Sequence, residues 1–224
     1  MRIVMKFGGT SVGGEQALKN VVALTGRYAK SNDVVVVASA MNGVTNTLMD
    51  AANWASQRDQ AHVAEILEQL RRRHESTCRQ VIASADLMRK TTACLDDELR
   101  ELERALTGIS YLAELTPRSR DFVLSFGEKL STLLLAGALN DAGLKVKRLT
   151  GDEAGIVTDA SFGEAAPLME LTKKQVKQRL DALINDGTIP VIAGFIAATQ
   201  DGVPTTLGRG ASDYTATIVG VALE

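Results

Sequence analysis

Lys6 stands at the end of the strand-like run Ile3 to Phe7 and is followed at once by Gly8, Gly9, Thr10 and Ser11. Glycines let backbone N–H groups approach a polyphosphate closely, a following helix offers its positive end, and a lysine adds a compact charge. The run therefore reads as an anion site, although Lys6 taken alone would more readily be a strand-end lysine in solvent. It is not a Walker A loop, because Gly14 is followed by Glu15 and Gln16 rather than by Lys and Ser or Thr. Gly8, Gly9, Gly13 and Gly14 do not make the dinucleotide spacing G-x-G-x-x-G either, and protein-kinase motifs are absent.

Three further clusters carry usable chemistry. Ser39-Ala40-Met41-Asn42-Gly43-Val44-Thr45-Asn46 gathers small and hydroxyl-bearing residues after a valine-rich run, a pattern that also suits an ordinary loop and helix cap. Ser125-Phe126-Gly127-Glu128 puts a glycine and a carboxylate inside an otherwise apolar helical run. Glycine in a helix interior costs roughly 1 kcal/mol relative to alanine, so close packing or a nearby ligand is expected there. Thr205 to Asp213 places Arg209 between Gly208 and Gly210 ahead of a helix start, where a guanidinium clamps a carboxylate bidentately. A serine-hydrolase elbow fails here, since Tyr214 stands where the closing glycine would fall. His62 and His74 lie in helical segments and read as surface histidines.

The elements that must position these groups alternate as in an α/β domain. Ile3 to Phe7 reads as a strand, Gln16 to Lys30 as a helix, and Val34 to Ala38 as a strand whose consecutive valines suggest cover on both faces. A helix follows through about Ala55. From Gln60 to Leu106 the pattern changes to long amphipathic helices, with Leu95, Leu99, Leu102 and Leu106 on one face, which reads as a helical arm. Arg71-Arg72-Arg73 lies among Glu65, Glu68 and Glu75 without aromatic interleaving, so a solvated face is favoured over a nucleic-acid patch. A helix begins near Pro117 and ends near Asn140 to Gly143, and Leu144 to Leu149 reads as a strand. A loop-rich stretch from Thr150 to Pro167 leads to a helix over Lys173 to Ile184 and a core strand at Ile189 to Ile192. A hairpin turning at Gln200-Asp201-Gly202 comes next, then a helix from Tyr214 to Leu223 capped by Ser212 or Asp213.

Composition narrows the partners. The 224 residues are 45% hydrophobic and 23% charged, enough for one sizeable core, and 25 basic against 27 acidic residues leave a formal charge of -2. No single-sign field points to nucleic acid or an anionic membrane, so a small molecule is the expected partner. The two cysteines, Cys78 and Cys94, fall in helical segments, which fits free thiols in a reducing cytoplasm. His74 and Cys78 are one helical turn apart but lack a second pair of ligands, so no metal site is expected. The start of the chain shows no secretory signal, and the apolar stretches read as too short to span a bilayer.

Taken together and in order, the motifs Lys6 to Ser11, Ser39 to Asn46, Ser125 to Glu128 and Gly208 to Asp213 resemble the aspartokinase family of the amino-acid kinase fold. That resemblance implies a three-layer αβα sandwich with a mainly parallel central sheet over residues 1–224, with a helical arm at about 60–110. It implies that Lys6 neutralises the transferred phosphoryl group, that Asp213 orients Lys6, and that Gly8, Gly9 and Ser11 line the phosphate site of ATP, whose phosphates mainly hold Mg2+. It further implies an L-aspartate pocket in which Glu128 binds the α-ammonium, Arg209, Thr45 and Ser212 hold carboxylate oxygens, and Ser39 and Phe195 stand nearby. The family's activity is ATP-dependent phosphorylation of aspartate on the route to lysine, threonine and methionine, in a cytoplasmic homo-oligomer. Ala211 stands where family members usually carry a second glycine. The chain is expected to be C-terminally incomplete, lacking the adenine-binding strands and the ACT regulatory domains. The alternatives are a related kinase for glutamate or acetylglutamate, and an inactive kinase-fold module for binding or dimerisation.

Overall fold

The computed structural model describes residues 1–208 and 210–224. Its backbone is a parallel four-stranded sheet in the order β1-β2-β5-β3, made of β1 (Arg2–Phe7), β2 (Asp33–Ala38), β5 (Ile189–Ala193) and β3 (Val146–Leu149). The valine run behaves as its composition dictates. Val34, Val35, Val36 and Val37 are all buried, so side chains on both faces of β2 enter apolar layers. One layer holds α1 (Glu15–Ala29) and α5 (Pro117–Asp141), which pack on each other and on β2. The other holds α6 (Met169–Asn185) and α7 (Ser212–Ala222), packed together against β1, β2 and β5.

The arm is built from α3 (Gln60–Val81) and α4 (Ala85–Leu112), and α2 (Val44–Ser56) joins it to the sheet domain. Leu95, Leu99, Leu102 and Leu106 are buried along one stripe of α4, as their spacing requires. The arginine run is a solvated face, with Arg71 and Arg72 paired to Glu75, Asp96 and Glu68. A small second sheet, ordered β4-β6-β7, joins β4 (Val157–Thr158), β6 (Ile196–Thr199) and β7 (Pro204–Thr206). β6 and β7 form the antiparallel hairpin expected around Gln200-Asp201-Gly202.

The structure corrects three expectations. α5 is long and apolar enough to cross a membrane by length and composition, although most of its apolar stretch is buried inside the protein. It is the core helix, closed at its start by a capping box between Thr116 and Ser119 with Pro117 in the first turn. Neither Ser212 nor Asp213 caps α7, because the helix begins at Ser212 and its N-cap is Ala211, without a side-chain hydrogen bond. The 150–167 stretch also hides strand β4, too short to leave a periodic signal.

Candidate active site

In a parallel sheet the C-terminal strand ends and the helix N-termini they feed converge on one edge, where ligands bind. Here β1 delivers Lys6 and the glycine loop to that edge, β2 delivers Ser39 to Gly43, and β5 delivers Gly194 and Phe195. The loops are locked to one another by backbone bonds. Asn42 N donates to Gly9 O at 3.1 Å and Gly194 N to Ala38 O at 2.9 Å. Gly9 must be glycine for this, since a Cβ there would lie 2.8 Å from Ala40 O. Gly194 is under the same constraint, with Ser212 Oγ 2.8 Å from its would-be Cβ.

Between the loops lies a cavity of about 340 Å³ into which Gly9, Ser39, Thr45, Glu128, Phe195 and Ser212 all face. Glu128 is the chemically unusual member. It is 4% exposed, its Oε1 accepts the Ala40 N–H at 3.1 Å, and its Oε2 is buried without a hydrogen-bond partner. Burial pushes its carboxyl up to about 8, against the lowering effect of that backbone bond. A half-satisfied buried carboxylate on a polar cavity wall is what a small cation, such as an ammonium group, would complete. α5 reaches this wall only because residue 127 is glycine: a Cβ there would stand 2.8 Å from the Ala40 Cβ.

Lys6 and Asp213 pair with Nζ 3.0 Å from Oδ1; neither is among the residues lining the cavity, although Asp213 directly follows the lining residue Ser212. Asp213 lies in the first turn of α7, where a carboxylate suits the helix dipole. Its side chain is 75% exposed, so the pair adds little to the stability of the fold. Gly8 is beside them, since Lys6 Nζ lies 3.5 Å from the position a Gly8 Cβ would take. Ser11 closes the loop, its N–H donating to Gly8 O at 2.9 Å, and faces a shallow depression with Phe7 and Thr10 rather than the cavity. Arg209 lies outside the described residues.

Phe195 holds a left-handed backbone, φ 67°, which a phenylalanine rarely adopts. It is kept there by its N–H donating to Thr215 Oγ1 at 3.0 Å and by its carbonyl accepting the Leu207 N–H at 2.9 Å. Thr215 is fully buried and was not singled out from sequence. Met49 and Leu124 also line the cavity. They stand one helical turn from Thr45 and Glu128, so helical spacing alone would have found them. His74 departs from its surface assignment: it is fully buried on α3, Nδ1 donates to Leu70 O at 2.7 Å, and burial lowers its basicity to about 4. It is not among the residues lining the cavity, and among the described residues no cluster of metal-ligating side chains occurs.

The family model for the amino acid kinase family matches residues 1–224, and the chain belongs to that family. The relatives it resembles are aspartokinases. It is 36% identical over 224 residues to aspartokinase 1, chloroplastic, of Arabidopsis thaliana, covering 98% of this chain and 38% of that protein. It is 34% identical to the aspartokinase of Bacillus sp. strain MGA3, covering 99% of this chain and 39% of that one. The fold superposes on E. coli aspartokinase III in complex with aspartate and ADP with a TM-score of 0.88 at 27% identity, over 100% of this chain and 47% of that chain. The chain thus spans about two fifths of the length of the curated relatives it matches.

Proposed function

We propose that residues 1–224 are the catalytic kinase region of an aspartate kinase, with the helical arm at about 60–110 as part of the same unit. Its reaction would join a β-carboxylate oxygen of L-aspartate to the γ-phosphorus of ATP, break the bond to the bridging oxygen, and release ADP and 4-phospho-L-aspartate. The observation that carries this reading is Glu128, a buried carboxylate with one unpartnered oxygen on the cavity wall. It suits the α-ammonium of an amino acid. Thr45 and Ser212, with Arg209, would hold the carboxylates, and Ser39 and Phe195 would shape the pocket. The bare glycine loop under Lys6 Nζ suits phosphate oxygens. Mg2+, held mainly by the nucleotide phosphates, would neutralise charge there.

A carboxylate with an unperturbed pKa of about 3.9 is already a nucleophile at neutral pH, so a cavity without a histidine needs no general base. What remains is to bring two anions into line, and Lys6, oriented by Asp213, together with backbone N–H groups does this by positioning and charge neutralisation. The pathway to lysine, threonine and methionine, a cytoplasmic setting and a homo-oligomer belong to the same reading.

Titration calorimetry of this chain with L-aspartate should show saturable binding that Glu128→Gln weakens at least about tenfold, the loss of one charge-assisted contact. An ATP-dependent hydroxamate assay on a chain extended to the full length of its relatives should show turnover with L-aspartate that Lys6→Ala abolishes. Preference for L-glutamate would replace the substrate, and an extended chain that binds neither nucleotide nor amino acid would favour the non-catalytic module.

A further inference from the structure

Besides Glu128, α5 carries a second buried carboxylate that no step above uses. Asp121 is 1% exposed and sits two helical turns before Glu128, on the same side of the helix. Its Oδ2 accepts the backbone N–H groups of Gly163, at 2.9 Å, and Thr206, at 3.0 Å, while its Oδ1 accepts the Thr206 hydroxyl at 2.8 Å. Asp121 is therefore the point where α5, the 159–166 loop and the end of β7 are tied together. The loop is bound to β7 a second time, Ala165 N donating to Thr206 O at 2.9 Å, and it packs on Gly208 through Glu164 and Gly163.

Thr206 is the last residue of β7, and the segment that starts there returns to the cavity at Gly210, Ala211 and Ser212 before reaching Asp213. Gly208 and Gly210 both take left-handed backbone, which glycine adopts without the steric cost that other residues meet. At the far end Thr215 Oγ1 donates to Ala211 O at 3.1 Å. We propose that Asp121 is a positioning residue for the amino-acid site: it fixes the base of the 207–212 segment on the same helix that presents Glu128, and so sets the distance between the ammonium-binding wall and the carboxylate-binding loop. This rests on the aspartate-kinase reading for the identity of the ligand, but not for the clamp.

The side chains choose the variants. Asp121→Asn can keep both backbone bonds on its amide oxygen and turn its NH2 towards the Thr206 hydroxyl, which then accepts. Asp121→Ala leaves three buried donors unpaired. Thr206→Val removes one of them without changing shape. L-aspartate affinity, measured by calorimetry on the 224-residue chain, should stay within about threefold in Asp121→Asn and fall at least about tenfold in Asp121→Ala. Hydrogen exchange in Asp121→Ala should quicken at 163–165 and 206–212 while β2 and β5 stay protected. Leu70→Ala, a core truncation in α3, supplies a comparable loss of melting temperature as the control for stability alone, and it should leave aspartate affinity in place.

The clamp is wrong if Asp121→Ala binds aspartate no worse than Leu70→Ala does, or if its exchange quickens evenly across the domain. Should Asp121→Ala fail to fold, Thr206→Val decides, with a several-fold loss of affinity and local exchange at 206–212 expected, and unchanged affinity and exchange overturning the proposal. If the unsubstituted chain binds no L-aspartate, the functional reading fails, and the exchange pattern still judges the clamp by itself.

Discussion

Glu128 couples the chemistry of the site to pH. In the free protein its carboxyl titrates near 8 because burial disfavours the charged form, whereas an ammonium group in the cavity requires that form. On the proposed reading, binding an amino acid below pH 8 therefore expels a proton from Glu128. All three ionised groups of free aspartate keep their charge between pH 6 and 8, so the pH dependence belongs to the protein. If only the ionised pocket binds, apparent affinity scales with the ionised fraction, and it should rise at least about tenfold from pH 6 to pH 8. Calorimetry in two buffers of different protonation enthalpy would count the released proton, which should approach one at pH 6.5 and vanish in Glu128→Gln. An affinity flat across this range would mean that Glu128 does not meet the ammonium. The type and place of this residue were legible in the sequence, as a carboxylate beside a helical glycine. Its half-satisfied burial was not, because the one oxygen that is held accepts from Ala40, a contact 88 residues away in the chain.

At the scale of the elements, the site exists because α5 and the β2 loop touch with no side chain between them. A glycine-to-alanine change in a helix interior ordinarily stabilises by about 1 kcal/mol. Gly127→Ala should do the reverse, since its Cβ would lie 2.8 Å from that of Ala40 with both backbones held in the core, and overpacking of this kind costs typically 1–3 kcal/mol. Ala40→Gly in the same chain removes the opposing methyl group. Chemical denaturation should thus show Gly127→Ala destabilised and the pair more stable than the single variant. Additive effects would place the cause elsewhere. The glycine signaled this approach from sequence, as did the valine run of β2 and the turn of the β6–β7 hairpin, because each is a local rule. Asp121 gave no such signal: its partners lie 42 and 85 residues away. Nor did Thr215, whose hydroxyl matters only because Phe195, 20 residues earlier, holds a strained backbone. The apolar composition of α5 leaves its setting undecided for the complementary reason, that a core helix and a spanning helix are apolar alike and differ only in what surrounds them.

For the molecule as a whole, two buried titratable groups act on stability with opposite sign. Glu128 binds its proton more tightly in the folded state, up to about pH 8, than in the unfolded chain, where a carboxyl of model value 4.5 has already lost it. Between those values the folded state holds the extra proton, so stability falls as pH rises. His74, buried and held neutral, is protonated only near pH 4 when folded but from 6.5 when unfolded, so across that interval stability rises with pH. From about pH 4.5 to 6.5 the two slopes oppose one another, and above 6.5 Glu128 acts alone. The depressed carboxyls of Asp59, Asp86, Asp159 and Asp186, each lowered from 3.8 by hydrogen bonds, act below this range. Denaturation of the ligand-free chain should therefore give a nearly level stability from about pH 5 to 6.5, then a decline towards pH 8 no steeper than one proton, about 1.4 kcal/mol per pH unit. Glu128→Gln should remove the decline and uncover a rise with pH below 6.5, owed to His74. Saturating L-aspartate should remove the decline too, because it stabilises the ionised pocket. A decline that survives Glu128→Gln would show that some other group holds the proton, and the cavity wall would then lack the charge on which amino-acid binding depends.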